Sequence, residues 1–182
     1  MKVSETNPNI LCLEYRQDNN DKDYGTCLWA RFYFNLDDCE LMITSDCGSY
    51  AYSYFCPADN ESFLEFMTTC GKQYLLEKIY GKPNVFDYET TKDYTYEFYG
   101  ADEDDGLETK KRLDDIFENI ELDGTPTEAS TFVKQFEYED YDGFFFDVFE
   151  LPIYEYPAQV LRIVQIFEDY IKPKIHEILA EN

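Results

Sequence analysis

The order of the hydrophobic patterns limits the fold of this chain more than any other feature: extended, aromatic-rich runs come first and helical periodicities follow. Apolar runs over residues 10–17, 27–35, 40–45 and 50–55 are separated by short polar turns, one of them closed by Gly25. Aromatic and β-branched side chains suit a pleated sheet, and connections this short favour antiparallel neighbours. The first third of the chain therefore predicts an antiparallel β-meander.

Helical spacing dominates the rest of the chain. Apolar residues recur at three- and four-residue intervals over residues 63–79, 107–120 and 160–179, and Pro173 predicts a kink or break in the last of these. Residues 138–156 fit no helix and are expected to be irregular or strand-like. Strands followed by helices predict an α+β fold. We expect a single α+β domain over residues 1–182, with an N-terminal antiparallel β-meander, helices packed over one face and a long C-terminal helix.

Three helix starts can be predicted from capping chemistry. Side-chain oxygens of residues at a helix N-cap accept hydrogen bonds from the free amides of the first turn. Residues 87–99 fit both the helical and the strand period, and we favour a helix because Asp87 is a suitable N-cap. The other predicted caps are Asp59 or Asn60 for the helix after residue 62, and a capping box of Thr125 and Glu128 for a helix that ends near residue 137.

The charge of the chain excludes several kinds of partner. The sequence has 39 Asp and Glu but 15 Lys and Arg, a formal charge of −24. Phosphates would be repelled, so direct tight binding to DNA and docking on anionic membranes are both excluded. The partners that such a surface attracts are cations and basic proteins, above all basic proteins that bind nucleic acid.

Acidic and aromatic residues are concentrated where basic residues are absent. No Lys or Arg lies between Lys134 and Arg162, a gap that carries seven acids and nine Phe and Tyr side chains, and four consecutive acids occupy residues 102–105. Acids without nearby basic partners leave a negative surface, and tyrosine adds rigid contact area. The predicted partner-binding residues are Asp102, Glu103, Asp104, Asp105, Glu137, Tyr138, Glu139, Asp140, Tyr141 and Asp142. The alternative is that the acids serve solubility alone and the aromatic side chains fill the core.

No complete catalytic signature occurs in the chain. It has no glycine-rich phosphate loop, and His176 is its single histidine. The six cysteines show no CxxC spacing, so we predict reduced structural thiols, no metal site and no cofactor. A non-enzymatic role is expected, while a metal-dependent nuclease built from carboxylates alone stays open as an alternative. The first residues, MKVSETNPNI, lack the apolar stretch of a signal peptide, and no apolar run is long enough to span a membrane, so we expect a cytoplasmic protein.

Several strings of the sequence carry a resemblance. The longest are LEYRQDNNDKDYGTCLWARFYFNLDDCELMITSDCGSYAY, YLLEKIYGKPNVFDYE, LPIYEYP and IFEDYIKPKIHEIL. In these strings the chain resembles a family of small acidic proteins from prophages and mobile elements of Gram-positive bacteria, which includes or lies close to phage-encoded anti-CRISPR inhibitors of Cas9-type nucleases. The resemblance implies an anti-defence protein in the host bacterial cytoplasm. Its implied partner is Cas9 or its guide RNA complex, which holds nucleic acid in basic channels. Two alternatives remain: a metal-dependent nuclease or activator that acts on guide RNA, and an acidic structural protein of the mobile element with no defence target.

Overall fold

The computed structural model describes residues 5–20, 24–55, 62–101 and 106–181. In chain order its elements are β1 (Ile10–Arg16), β2 (Trp29–Asn35), β3 (Glu40–Ser45), β4 (Gly48–Ser53), α1 (Phe63–Thr69), α2 (Lys72–Ile79), β5 (Val85–Asp87), α3 (Tyr88–Phe98), α4 (Leu107–Asp123), α5 (Ala129–Glu139), a 3₁₀ turn (Val148–Glu150), β6 (Ile153–Glu155), α6 (Ala158–Ile166), a π turn (Phe167–Ile171) and α7 (Lys172–Ala180). The chain divides into two compact units: unit 1 is residues 1–82 and 157–182, and unit 2 is residues 83–156. The single domain expected from the sequence stays a prediction.

The sheet of unit 1 is the predicted meander. Its strand order is β1-β2-β3-β4, and every neighbouring pair is antiparallel. Phe32 in β2 lies opposite Leu13 in β1 and Ile43 in β3, which fixes the register. The α+β prediction is confirmed.

One face of this sheet is covered by helices. Along β2, Ala30, Phe32 and Phe34 are fully buried, while the residues between them are half-exposed. The ring of Phe32 lies 6.1 Å from that of Phe167 in the π turn, and the ring of Phe34 lies 6.3 Å from that of Phe63 in α1. Alternate side chains of a strand point to opposite faces, so one face supplies the core and the other contacts solvent.

The long C-terminal helix is also confirmed, and Pro173 disturbs it without ending it. The backbone stays helical from α6 through the π turn into α7, and Pro173 is in the first turn of α7. Proline lacks an amide hydrogen and its ring clashes with the carbonyl of the preceding turn. The wider π turn just before it gives the ring the space that a regular α-helix would deny.

Unit 2 has a separate core between α3, α4 and α5. Its central rings are Phe117, Phe132 and Phe136, all within 6.3 Å of one another by centroid. Asp87 caps α3 by accepting a hydrogen bond from the Thr90 amide at 3.0 Å, as predicted. β5 and β6 pair antiparallel and bring the two ends of unit 2 side by side.

Two predictions about helix ends are wrong. The helix predicted over residues 63–79 is two helices, separated at Cys70 and Gly71, where both residues are extended. The predicted capping box at Thr125 does not form, because Glu128 is extended (φ −134°, ψ 139°) and α5 starts after it. Asp59 and Asn60 lie outside the described residues, and α1 is capped by Ser62, which exchanges hydrogen bonds with Glu65.

The prediction of reduced cysteines fails at one position. Cys12, Cys27, Cys47 and Cys70 are free thiols, whereas Cys39 is disulfide-bonded. The sequence pattern could not show this, because the pairing depends on which distant thiols the fold brings together. In the described part of the chain, none of the helices combines the length and the apolar character needed to cross a bilayer.

Candidate acidic and aromatic contact surface

The charge is distributed unevenly between the two units. Unit 2 contains 22 of the 39 acidic residues but only 5 of the 15 basic ones, a formal charge of −17 out of −24. Unit 1 is larger and carries the remaining −7. The negative potential of the chain therefore originates mainly in unit 2, which also contains every residue predicted to bind a partner.

Helices α4 and α5 place these residues at one end of unit 2. Leu113, Phe117 and Ile120 from α4 are buried against Phe132 and Phe136 from α5. Burial of these apolar stripes leaves the polar faces of both helices outward. Glu137, Tyr138 and Glu139 form the end of α5, and residues 140–146 continue from it; we call residues 137–146 the contact surface.

A buried carboxylate holds the turn after α5. Asp140 is only 9% exposed, and it accepts hydrogen bonds from the Phe144 amide at 3.1 Å and the Phe145 amide at 2.9 Å. Gly143, with φ +65°, gives the turn its left-handed position. Asp140 therefore serves the structure of the surface, and its contact with a partner stays a prediction.

Arg112 ties α4 to the same turn. Its guanidinium donates to both carboxylate oxygens of Asp142, at 3.2 and 2.9 Å, and its central carbon lies 4.2 Å from the centroid of the Phe144 ring. The hydrogen bond from Arg112 lowers the pKa of Asp142 below its usual range, and Asp142 raises the pKa of Arg112 in return. Among the described residues, Asp142 is the only acid of the contact surface in an ion pair.

The remaining predicted residues differ in exposure. Tyr138 is 79% exposed and Tyr141 is 91% exposed, and Glu137 is exposed on the last turn of α5. Glu139 is half-buried and accepts a hydrogen bond from Asn119 at 2.8 Å. The predicted residues Asp102, Glu103, Asp104 and Asp105 lie outside the described residues.

The glycine that follows those four acids shows how closely their flanking residues approach. A Cβ atom added to Gly106 would lie 2.7 Å from the Ala101 oxygen and 2.8 Å from the Ala101 carbonyl carbon. Real Cβ atoms do not approach backbone this closely, so position 106 requires glycine. Ala101 and Gly106 are both buried.

Two shallow grooves meet at Arg112 and Phe144. The first, of about 270 Å³, is lined by Arg112 and Asp115 from α4 and by Glu139, Tyr141 and Asp142 from the contact surface. The second, of about 280 Å³, is aromatic and is lined by Phe98, Tyr99, Thr109, Phe144, Phe145 and Phe146. An acidic groove beside an aromatic one offers charge and apolar area to the same partner.

Helix geometry makes the acids of this surface costly for the fold. The C-terminal end of a helix carries partial negative charge, and acids there are unfavourable by ~0.3–1 kcal/mol each. The last turn of α5 contains Glu137 and Glu139 and no basic residue, and the last turn of α4 likewise has acids and no basic residue. Glu139 recovers part of this cost through its hydrogen bond from Asn119, and Glu121 through its ion pair with Lys92. At the exposed Glu137, helix stability alone would favour lysine.

Sequence reasoning missed the residues that organise the surface. They are Arg112, Asp115 and Asn119 from α4 and Tyr99 at the end of α3. The contacts of Asn119 with Glu139, Arg112 with Asp142 and Tyr99 with Phe146 span 20, 30 and 47 positions of sequence. Tyr99, for example, donates a hydrogen bond to the Phe146 carbonyl, and its ring lies 4.6 Å from that of Phe145 at a tilt of 51°. No signal in a single sequence marks such a distant contact.

The described carboxylates of the contact surface do not form a metal centre. Within the described ranges, the one set of three Cys, His, Asp or Glu ligand atoms close enough to share an ion is Cys27, Asp46 and Cys47, which belongs to unit 1.

Comparison with known proteins identifies a family. The family model Phage phiTE 072, described as a phage family, matches residues 1–177. No curated protein and no solved structure matches the chain.

Proposed function

The chain belongs to this phage family, and we propose that it is a non-enzymatic anti-defence protein that binds a basic nucleic-acid-binding protein of the host. The contact surface docks in a groove that otherwise holds nucleic acid. A Cas9-type nuclease with its guide RNA is the target that the sequence resemblance implies, and it is the first partner to test. Such enzymes hold guide and target in positively charged channels.

The observation that carries this proposal is the concentration of uncompensated charge in unit 2. The formal charge of unit 2 is −17. Of the described acids in the contact surface, only Asp142 forms an ion pair. A field of this strength steers association with a basic groove and makes the on-rate fall as salt rises. The exposed rings of Tyr138 and Tyr141 supply the contacts that slow dissociation, as tyrosine does at binding hot spots.

The test measures binding of the purified protein to a purified Cas9–guide complex by biolayer interferometry, at low and at high salt. The test variant reverses three acids around the acidic groove: Asp115→Lys, Glu137→Lys and Glu139→Lys. The matched control reverses three exposed acids of unit 1 instead: Glu5→Lys, Asp169→Lys and Glu181→Lys. Both variants change the net charge equally, so a difference between them reports the location of the contact.

We expect the groove variant to bind at least about tenfold more weakly, a loss of ~1.4 kcal/mol or more. The control should lose little, and the loss should appear mainly as a slower on-rate. Tyr141→Ala should instead speed dissociation. Equal loss in both triple variants would show that only overall charge matters, and absence of a complex at low salt would exclude a Cas9–guide complex as the target.

A further inference from the structure

The sheet of unit 1 brings two cysteines and an aspartate together at one end. Cys27 precedes β2, and Asp46 and Cys47 form the two-residue turn between β3 and β4. Because Ala30 in β2 lies opposite Ser45 in β3, the start of β2 is held against that turn. Gly48, with φ +117°, lets the chain reverse directly after Cys47.

The ligand atoms of these residues are close enough to share one ion. The Cys27 thiol lies 3.3 Å from Asp46 Oδ1, and the two sulfurs and the carboxylate oxygen are all within 4.8 Å of one another. In a tetrahedral zinc site, with metal–sulfur bonds of ~2.3 Å and metal–oxygen bonds of ~2.0 Å, ligand atoms are separated by about 3.5–3.8 Å. An ion between the three atoms thus needs only small side-chain movements.

Backbone contacts already orient the cluster. Asp46 Oδ2 accepts a hydrogen bond from the Leu28 amide at 2.9 Å, which turns Oδ1 toward Cys27. Cys47 Sγ lies 3.0 Å from the Thr26 carbonyl oxygen, and the Cys47 carbonyl accepts a hydrogen bond from the Tyr50 hydroxyl at 2.9 Å. The contacts from the Leu28 amide to Asp46 and from the Tyr50 hydroxyl to Cys47 hold two of the ligand residues in place, which raises metal affinity. The contact with the Thr26 carbonyl is donated by the neutral thiol and is given up when the Cys47 thiolate binds the ion.

From this geometry we propose that Cys27, Asp46 and Cys47 bind one thiophilic divalent cation, with Zn²⁺ the expected ion. Two thiolates select zinc over magnesium and calcium, which prefer oxygen ligands. The carboxylate supplies the third ligand, and water or a main-chain carbonyl completes the tetrahedron. Cys27 is fully buried, whereas Asp46 is exposed, so the ion enters from the Asp46 side. The site goes beyond the proposed function, because it lies in unit 1 and does not depend on any partner.

The test is uptake of Co²⁺, a spectroscopic substitute for Zn²⁺, by the chelator-treated full chain, kept free of oxygen and of added reductant so that the Cys39 disulfide stays closed. Sulfur coordination gives an ultraviolet thiolate-to-cobalt absorption, and tetrahedral geometry gives visible ligand-field bands. We expect one Co²⁺ per chain, displaced by one Zn²⁺. Cys27→Ser and Cys47→Ser should each reduce the thiolate absorption, while Asp46→Asn should keep it and weaken affinity by about tenfold or more.

Cys12→Ser and Cys70→Ser are the matched controls, because both thiols are free and lie outside the cluster. They should leave cobalt uptake unchanged. The proposal is overturned if the wild-type chain shows no thiolate absorption, or if loss of Cys47 leaves that absorption undiminished. It is also overturned if the Cys12 or Cys70 variant abolishes it. Since Cys27 is buried, circular dichroism checks that its variant folds, and the more exposed Cys47 gives the second, independent substitution.

Discussion

Asp140 offers the sharpest test of how the contact surface is held in shape. Its carboxylate accepts hydrogen bonds from the amides of Phe144 and Phe145, and the Phe145 side chain is 6% exposed. A hydrogen bond to a charged group contributes ~1.5–3 kcal/mol, and a buried amide left without a partner costs ~1–3 kcal/mol. These terms overlap because they describe the same bonds. We therefore expect Asp140→Ala to lower the free energy of unfolding by about 2–4 kcal/mol.

Glu137→Ala is the matched control, since it removes the same charge from an exposed site three residues earlier. It should change the free energy of unfolding by no more than ~0.5 kcal/mol. Loss of an acid from the C-terminal turn of a helix favours the folded state, so any effect should be stabilising. Urea unfolding followed by far-ultraviolet circular dichroism measures both variants. Equal stability of the two would refute the structural role assigned to Asp140.

The same experiment tests the single domain predicted from the sequence. Trp29 is the only tryptophan, and it lies in β2 of unit 1, so its fluorescence reports unfolding of that unit. Circular dichroism reports the helices of both units. If the chain unfolds as one domain, Asp140→Ala shifts both transitions together. A fluorescence transition that stays in place while the dichroism transition moves would show two domains.

Three further predictions concern other parts of the fold. Arg112→Gln should lower the free energy of unfolding near neutral pH and should lose this effect in acid. The pKa of Asp142 is lowered in the folded state, so the ion pair stabilises the fold above the ordinary carboxyl range and stops doing so as Asp142 protonates. Unfolding curves at several pH values measure this difference, and a difference that does not depend on pH contradicts the prediction. Tyr54→Phe should raise the free energy of unfolding by about 1 kcal/mol. The buried Tyr54 hydroxyl has no hydrogen-bond partner in the described part of the chain, and phenylalanine keeps the packing of the ring. A loss of stability in thermal unfolding would show that the hydroxyl has a partner. Gly106→Ala should cost ~1–3 kcal/mol, since its methyl group would overlap the Ala101 carbonyl; a melting temperature equal to that of wild type would contradict the close approach.

Local sequence signals predicted the sheet and most helices. The period of two in β2 marks Ala30, Phe32 and Phe34 as inward-facing, and Asp87 caps α3 as its side chain suggests. The predictions of helix N-caps failed where a neighbouring residue could also cap or start the helix. Ser62 and Glu65 cap α1 instead of Asp59 or Asn60, and the extended backbone of Glu128 prevents a capping box at Thr125.

The candidate site could be predicted only in outline. The acids and tyrosines of residues 137–142 stand out because they lie in the stretch between Lys134 and Arg162 that has no basic residue. Their individual roles depend on distant contacts: Arg112 neutralises Asp142, and backbone amides occupy Asp140. The cluster of Cys27, Asp46 and Cys47 shows the same limit, because strand pairing joins residues whose spacing resembles no metal motif.

The way unit 2 interrupts unit 1 has a consequence for synthesis. A nascent chain that has emerged as far as residue 156 contains all of unit 2, including the β5–β6 pairing of its ends, but unit 1 still lacks α6 and α7. Until those last helices leave the ribosome, the inward face of the meander, with Phe32 and its neighbours, has no helical cover from them. Unit 2 can thus fold during translation, whereas unit 1 must wait for its final residues.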